Sequence, residues 1–208
     1  MRKIILIGLI VLTSGCATVH KKDYTAFFAA APRSILIVPV VNRSVEVTAP
    51  NYFLSSITIP VAEQGFYVFP VNAVKRVLED NGLSDADLVH KAVVQKLAAL
   101  FGADAVLYIT INRWDARWIL LSTTITVDLT YVLKDGKTGT ELWADSRHVQ
   151  YTPQGSSSGN IFADLIVDVA VAAMEKAAPN YMPLARQANA AAFTYPGPGI
   201  PPGPYSKK

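Results

Sequence analysis

The chain has 208 residues, with 19 Lys and Arg against 16 Asp and Glu, 51% apolar residues, 10% aromatic residues and one Cys. That composition excludes disulfide scaffolds, cysteine-rich zinc modules, strongly basic nucleic-acid binders and disordered chains, and it predicts one globular domain with tails. The formal charge of +3 hints at an anionic partner only if the basic residues survive processing.

Met1 to Cys16 does not look like part of the domain. Arg2 and Lys3 precede the apolar stretch Ile4 to Leu12, the charged and hydrophobic regions of a secretory signal. The stretch is too short to span a bilayer as a helix. Leu12-Thr13-Ser14-Gly15-Cys16 resembles the bacterial lipobox, in which small residues precede a cysteine that is lipidated and becomes the first residue. That resemblance implies a diacylglyceryl and an N-acyl group on Cys16, which together anchor stably where one chain binds only reversibly. By similarity to Gram-negative lipoproteins, Ala17 implies release to the outer membrane. Removal of residues 1–15 takes Arg2 and Lys3 with it and leaves 17 basic against 16 acidic residues in 193. The apparent basicity belongs largely to the signal.

Residues 16–32 read as a lipid-anchored tether, charged at His20-Lys21-Lys22-Asp23 and closed by an Ala run and Pro32. Its sixteen residues after the cysteine reach at most about 50 Å, so the domain of residues 33–192 is expected close to its membrane. Ser34 to Val41 is a continuous apolar run, as in a strand covered on both faces. Asn51 to Gln64 has helical spacing despite Pro60. Phe66 to Pro70 predicts a short buried strand, and Val71 to Asn81 a helix stopped by Asn81-Gly82. Ser84 reads as the N-cap of a single helix whose stripe runs from Leu88 to Phe101.

A strand begins at Ala105. Thr123 to Leu133 alternates apolar and polar residues, as a half-buried antiparallel strand does. Lys134 to Thr140 is a turn, and Glu141 to Tyr151 returns as a strand. Between these strands lies Trp114-Asp115-Ala116-Arg117-Trp118, which fits either a long strand with its tryptophans in the core or an interface hot spot of Trp114, Arg117 and Trp118. Gln154 to Asn160 is a Gly/Ser linker. The helix predicted from Ile161 to Ala178 is apolar almost all round, so Phe162, Leu165 and Val169 are expected to meet a second protein surface. A further helical piece, Tyr181 to Ala192, precedes residues 193–208, which carry five prolines and three glycines. That tail is expected to be polyproline-like or disordered.

Signals for chemistry are sparse. Gly155-Ser156-Ser157-Ser158-Gly159 matches G-x-S-x-G, but Pro153 interrupts the strand a nucleophile elbow needs, and His20, His90 and His148 all precede the serines. His90 and His148 lack partners at ligand spacing and read as surface residues, and Asp128 reads as a solvated sheet position. No nucleotide-binding loop and no basic-aromatic patch is present.

The lipobox, the apolar strand at Ser34, the helix running into Gly102-Ala103-Asp104-Ala105-Val106-Leu107, and the hairpin Asp135-Gly136-Lys137-Thr138-Gly139-Thr140-Glu141-Leu142-Trp143 together resemble one fold group of periplasmic lipoproteins. The group includes curli-secretion channel subunits, lipoprotein activators of penicillin-binding proteins and the TolB N-terminal domain. Over nearly all the mature chain the sequence is most similar to an outer-membrane lipoprotein family first noted as a neisserial vaccine antigen, a family of unknown function. The element order β-α-β-α-α-β-β-β-α and the resemblance together imply a single α/β (α+β) domain with a mixed central sheet of about five strands. Within the fold group, the short tether and the apolar helix of residues 161–178 favour a non-enzymatic outer-membrane lipoprotein in an envelope export or assembly complex, homo-oligomeric and facing the periplasm, and no motif points to nucleic acid, a metal or a small-molecule cofactor. The rivals are an activator of a peptidoglycan synthase, which needs a longer tether, and an envelope hydrolase using Ser157.

Overall fold

Residues 22–119, 122–151, 182–193 and 199–206 are described by the structure, a computed structural model of the full chain. They form α1 (Thr25–Ala30), β1 (Ser34–Ile37), β2 (Val41–Asn42), α2 (Ala49–Glu63), β3 (Tyr67–Val68), α3 (Val71–Asp80), α4 (Ala86–Lys91), α5 (Val94–Phe101), β4 (Ala105–Ile119), β5 (Ser122–Asp135), β6 (Glu141–Tyr151) and α6 (Met182–Phe193). The signal, Cys16, the Gly/Ser linker with Ser157, and the predicted helix carrying Phe162, Leu165 and Val169 lie outside the described residues.

Among the described residues the sheet has six strands, in the order β3-β1-β4-β5-β6, with β2 also paired to β4. β1 and β2 are two pieces of the apolar run after Pro32, separated around Pro39, which has no N–H to give a ladder. They occupy one position in the sheet, so the strands fill the five positions expected. β3, β1 and β4 run parallel, whereas β4, β5 and β6 form an antiparallel meander. The strand at Phe66 to Pro70 is shorter than its sequence predicts. Only Tyr67–Val68 pairs, at the sheet edge, with Tyr67 largely exposed.

Two apolar layers follow from the alternation of side chains along the strands. One face carries Ile35, Ile37, Leu107, Ile109, Val127, Leu129 and Tyr131, and is covered by α1, α2 and α6. The other carries Leu36, Val38, Val106 and Tyr108 under α3, α4 and α5. The predicted helix from Ser84 to Phe101 is two helices, broken at Ala92 and Val93 in extended backbone and capped by the Asp85 carboxylate rather than Ser84. The break lets Val89 and the adjacent pair Leu97 and Ala98 all reach the sheet, while Leu88 and Val93 of the predicted stripe stay exposed.

A polar relay crosses the first layer. The Tyr131 hydroxyl donates to Asn189 Oδ1 at 2.9 Å, the Asn189 amide donates to Ser56 Oγ at 2.9 Å, and Ser56 donates to the Phe53 carbonyl at 2.9 Å. Tyr131 and Asn189 are completely buried and Ser56 nearly so. The relay ties β5, α6 and α2 together, with the Tyr131 ring set among Phe53, Trp143 and Phe193. Burial raises the Tyr131 pKa well above its ordinary value, so the hydroxyl remains a donor.

The tail departs most from expectation. Over residues 199–206 it packs on the domain: Ile200 is fully buried, the Gly203 N–H donates to the Gln64 carbonyl at 2.7 Å, and the Tyr205 N–H donates to the Gly65 carbonyl at 3.0 Å. The approach requires glycine on both sides. A Cβ on Gly203 would lie 2.4 Å from the Gly65 carbonyl oxygen, and one on Gly65 would lie 2.0 Å from the Ser206 nitrogen.

Removing the Tyr131 hydroxyl strands a buried acceptor on Asn189, a loss of about 1–3 kcal/mol. Urea unfolding of Tyr131→Phe is expected to show that decrease at unchanged m-value. Wild-type stability in this variant would contradict the relay.

Candidate functional site

The two motifs that carry the sequence resemblance meet in a structural clasp. The Asp104 carboxylate accepts from the backbone N–H groups of Arg33 at 2.9 Å and Ser34 at 3.1 Å and from the Ser34 hydroxyl at 3.1 Å, while Ser34 Oγ accepts from the Asp104 N–H at 2.9 Å. The clasp aligns the start of β1 with β4. The Gly136 N–H donates to the Asp104 carbonyl at 2.8 Å, and a Cβ there would lie 2.7 Å from that of Ala98 and 2.8 Å from the Ala103 and Asp104 oxygens. In the turn itself, Asp135 Oδ1 accepts from the Lys137 and Thr138 N–H groups and from the Thr138 hydroxyl. Burial alone would raise the Asp135 pKa, but these hydrogen bonds outweigh it and hold the carboxyl below its ordinary value.

His90 and His148 sit on the sheet face opposite the relay. His90 is half-buried rather than a surface residue: Nε2 donates to the Pro39 carbonyl at 3.0 Å, and the ring meets the edge of Tyr108 at 5.1 Å. Burial lowers its pKa, which leaves it neutral at pH 7. Burial likewise pushes the Tyr108 hydroxyl up to about 12. Both side chains line a shallow cavity of about 280 Å³ with Thr110, Thr130, Lys134 and Glu141. His148 pairs with Asp128 on the exposed strand face, so Asp128 is partnered rather than simply solvated. Among the described residues no group of three or more His, Cys, Asp or Glu could hold a metal ion.

Of the predicted interface residues, the structure describes the side chain of Trp114. β4 runs unbroken through Trp114, which is completely buried opposite Val127. A register shift at Asn112 makes this possible, because it returns Trp114 to the face already occupied by Ile109 and Ile111. Trp114 is therefore a core residue and not a hot spot. Arg117 and Trp118 pair through their backbones with Thr124 and Thr123, and their side chains lie outside the described residues, as do Cys16, Phe162, Leu165 and Val169.

The contact that sequence reading missed is the one that Lys22 makes with the sheet. Lys22 Nζ donates to the Ala144 carbonyl at 2.6 Å and to Asp145 Oδ1 at 2.8 Å, and lies 5.0 Å from the centre of the Trp143 ring. Asp145, itself almost buried, also pairs with Arg147. The Tyr24 hydroxyl donates to the Gly199 carbonyl at 2.6 Å, and Phe27 is buried edge-to-face against Phe66 at 6.2 Å. The expected tether of residues 16–32 is thus part of the domain from Lys22 onward. Five residues lie between Cys16 and Lys22, six residue steps with a maximum reach of about 20 Å. The composition of residues 17–32 conceals this, because the partners of Lys22 lie more than 120 residues away.

Comparison with known proteins places these features. The family model described as "Putative lipoprotein GNA1162-like" matches residues 22–204. A lipoprotein of Neisseria meningitidis serogroup B is 36% identical over 162 residues, 76% of this chain and 75% of its own length. The crystal structure of lipoprotein GNA1162 from Neisseria meningitidis superposes with a TM-score of 0.57 at 34% identity, covering 70% of this chain and 99% of that one. The PelC dodecamer from Paraburkholderia phytofirmans, at 14% identity and a TM-score of 0.42, covers 67% of this chain and 84% of its own, a distance at which nothing carries over. Among the described residues no helix is long and apolar enough to cross a membrane.

Trp114→Ala is expected to cost about 3–5 kcal/mol of unfolding free energy, measurable by denaturant titration of the protein alone; a near-neutral effect would return Trp114 to the surface. Asp135, with its folded pKa depressed, contributes stability that is fully present above its unfolded pKa of about 3.9 and is lost as pH falls through the folded value. Asp135→Asn should therefore be less stable than wild type at neutral pH. Its stability should fall less steeply on acidification, and parallel pH profiles would contradict the turn's hydrogen-bond network.

Proposed function

The chain belongs to the family of GNA1162-like lipoproteins, and from that premise we propose that it is anchored to the outer membrane through lipid on Cys16 and holds its domain directly against that membrane. There it serves as a non-enzymatic component of an envelope export or assembly complex, through homo-oligomerisation and protein contacts. The observation that carries this reading is the fixation of Lys22 on Asp145 and Ala144. A domain held within about 20 Å of its lipid is suited to building a complex at one membrane. An activator that must engage a synthase in the opposite membrane needs a long free linker, and this chain has folded most of its linker into the domain. One further feature supports assembly: the apolar character of residues 161–178.

Photo-crosslinking in intact cells, followed by identification of the products, tests this. The expected products are self-adducts and envelope export or assembly proteins. Recovery of a peptidoglycan synthase alone would replace the reading with the activator, and a hydrolytic activity abolished by Ser157→Ala would replace it with the enzyme. Sedimentation of the detergent-solubilised lipoprotein is expected to give a dimer or larger species; a monomer at every concentration would remove the oligomer.

A further inference from the structure

We propose that the cavity beside His90 and Tyr108 binds a small zwitterion of the α-amino-acid class, with Lys134 taking its carboxylate and Glu141 its ammonium. Such a site needs neither the lipid anchor nor the oligomer proposed above and goes beyond both. Its floor is the sheet, where Thr110 stands opposite Thr130 and Lys134 opposite Glu141 in neighbouring strands. His90 of α4 forms a wall, and Tyr108 meets both the His90 ring and the Lys134 ammonium.

The fold leaves several polar groups of this lining unanswered. The Tyr108 hydroxyl is buried and has no hydrogen-bond partner, and a buried polar group of that kind costs the fold until something pairs with it. Lys134 and Glu141 face each other across β5 and β6, yet they form no ion pair; Lys134 Nζ lies instead 5.4 Å from the centre of the Tyr108 ring. Glu141 therefore has no counter-ion among the described residues. Asn112 donates to the Thr130 hydroxyl oxygen at 2.8 Å, which leaves the Thr130 O–H as a donor. The Nε2–H of His90 goes to the Pro39 carbonyl, so the other ring nitrogen is an acceptor.

The ligand class follows from charge and size. With His90 neutral, the charges of the lining are Lys134 and Glu141, which cancel. Arg43 and Asp87, the other charges near His90, pair with each other. A simple anion would satisfy Lys134 and set a like charge beside Glu141, and a simple cation would do the reverse. An α-amino acid carries an ammonium and a carboxylate on one carbon and satisfies both. Lys134 leans over Tyr108, two residues along the strand and toward the Thr110–Thr130 pair, so a ligand held between the two charges directs its own side chain at those hydroxyls. The volume of about 280 Å³ lies below the range of about 300–1,000 Å³ that drug-sized ligands occupy, as a molecule this small requires.

Equilibrium dialysis of the full lipoprotein in detergent against labelled amino acids, in L and D forms and at millimolar concentration, tests the proposal. Saturable binding of at least one is expected. Its amide, which lacks the carboxylate, and the matching α-hydroxy acid, which lacks the ammonium, should each compete at least about tenfold less well. Lys134→Gln and Glu141→Gln should each weaken binding by a similar factor at unchanged thermal stability, because neither side chain has an ion pair to lose. No saturable binding, equal competition by a singly charged analogue, or wild-type affinity in either variant would overturn the site. Glu141 is exposed, so Glu141→Gln keeps the comparison intact even where Lys134→Gln disturbs the hairpin.

Discussion

The hydrogen-bonded line Tyr131, Asn189 and Ser56 is the constraint on which the arrangement of this domain depends. Each group is buried, so each must find its partner or cost the fold about 1–3 kcal/mol. Apolar packing alone would let α2 and α6 slide over the sheet, since Leu, Ile and Val contacts are not directional. The relay admits one placement of both helices against β5. That placement positions Phe193 against Tyr131 and Trp143, and Trp143 in turn forms one wall of the Lys22 position.

From this core the path to function runs through the chain ends. The first sheet face is covered by elements from both termini, with α1 from one and α6 and Ile200 from the other. Tyr24 hydrogen-bonds to Gly199, so the two ends also hold each other. The N-terminal segment therefore completes a core, and Lys22 at its start is fixed along with it.

Much of the architecture was legible in the sequence because strand and helix periodicities are local signals. The alternation from Thr123 to Leu133 and the apolar run after Pro32 report directly which faces are covered. What could not be read locally are register and distant partners. The shift at Asn112 restores Trp114 to the core, and nothing in Trp114-Asp115-Ala116-Arg117-Trp118 announces it. The Gly65 and Gly203 backbones approach within contact across the fold, so a glycine- and proline-rich tail that resembles a solvated linker is built in. Lys22 looked like one more charge in a tether until Asp145 was placed beside it. The family was legible through its Gly102-Ala103-Asp104 and Asp135-to-Trp143 motifs. These turned out to be two halves of one clasp, so they specify the fold and leave the activity unspecified.

The central claim is that the chain is folded into the domain from Lys22 onward. Amide hydrogen exchange of the full lipoprotein, read over residues 24–31, measures this directly. Protection of the Phe28 and Ala31 amides, which donate to the Tyr24 and Phe27 carbonyls, well above the rate of a free peptide and sensitive to Lys22→Ala, is the predicted result. Exchange of those amides at the free-peptide rate, alongside a protected β5, would contradict it.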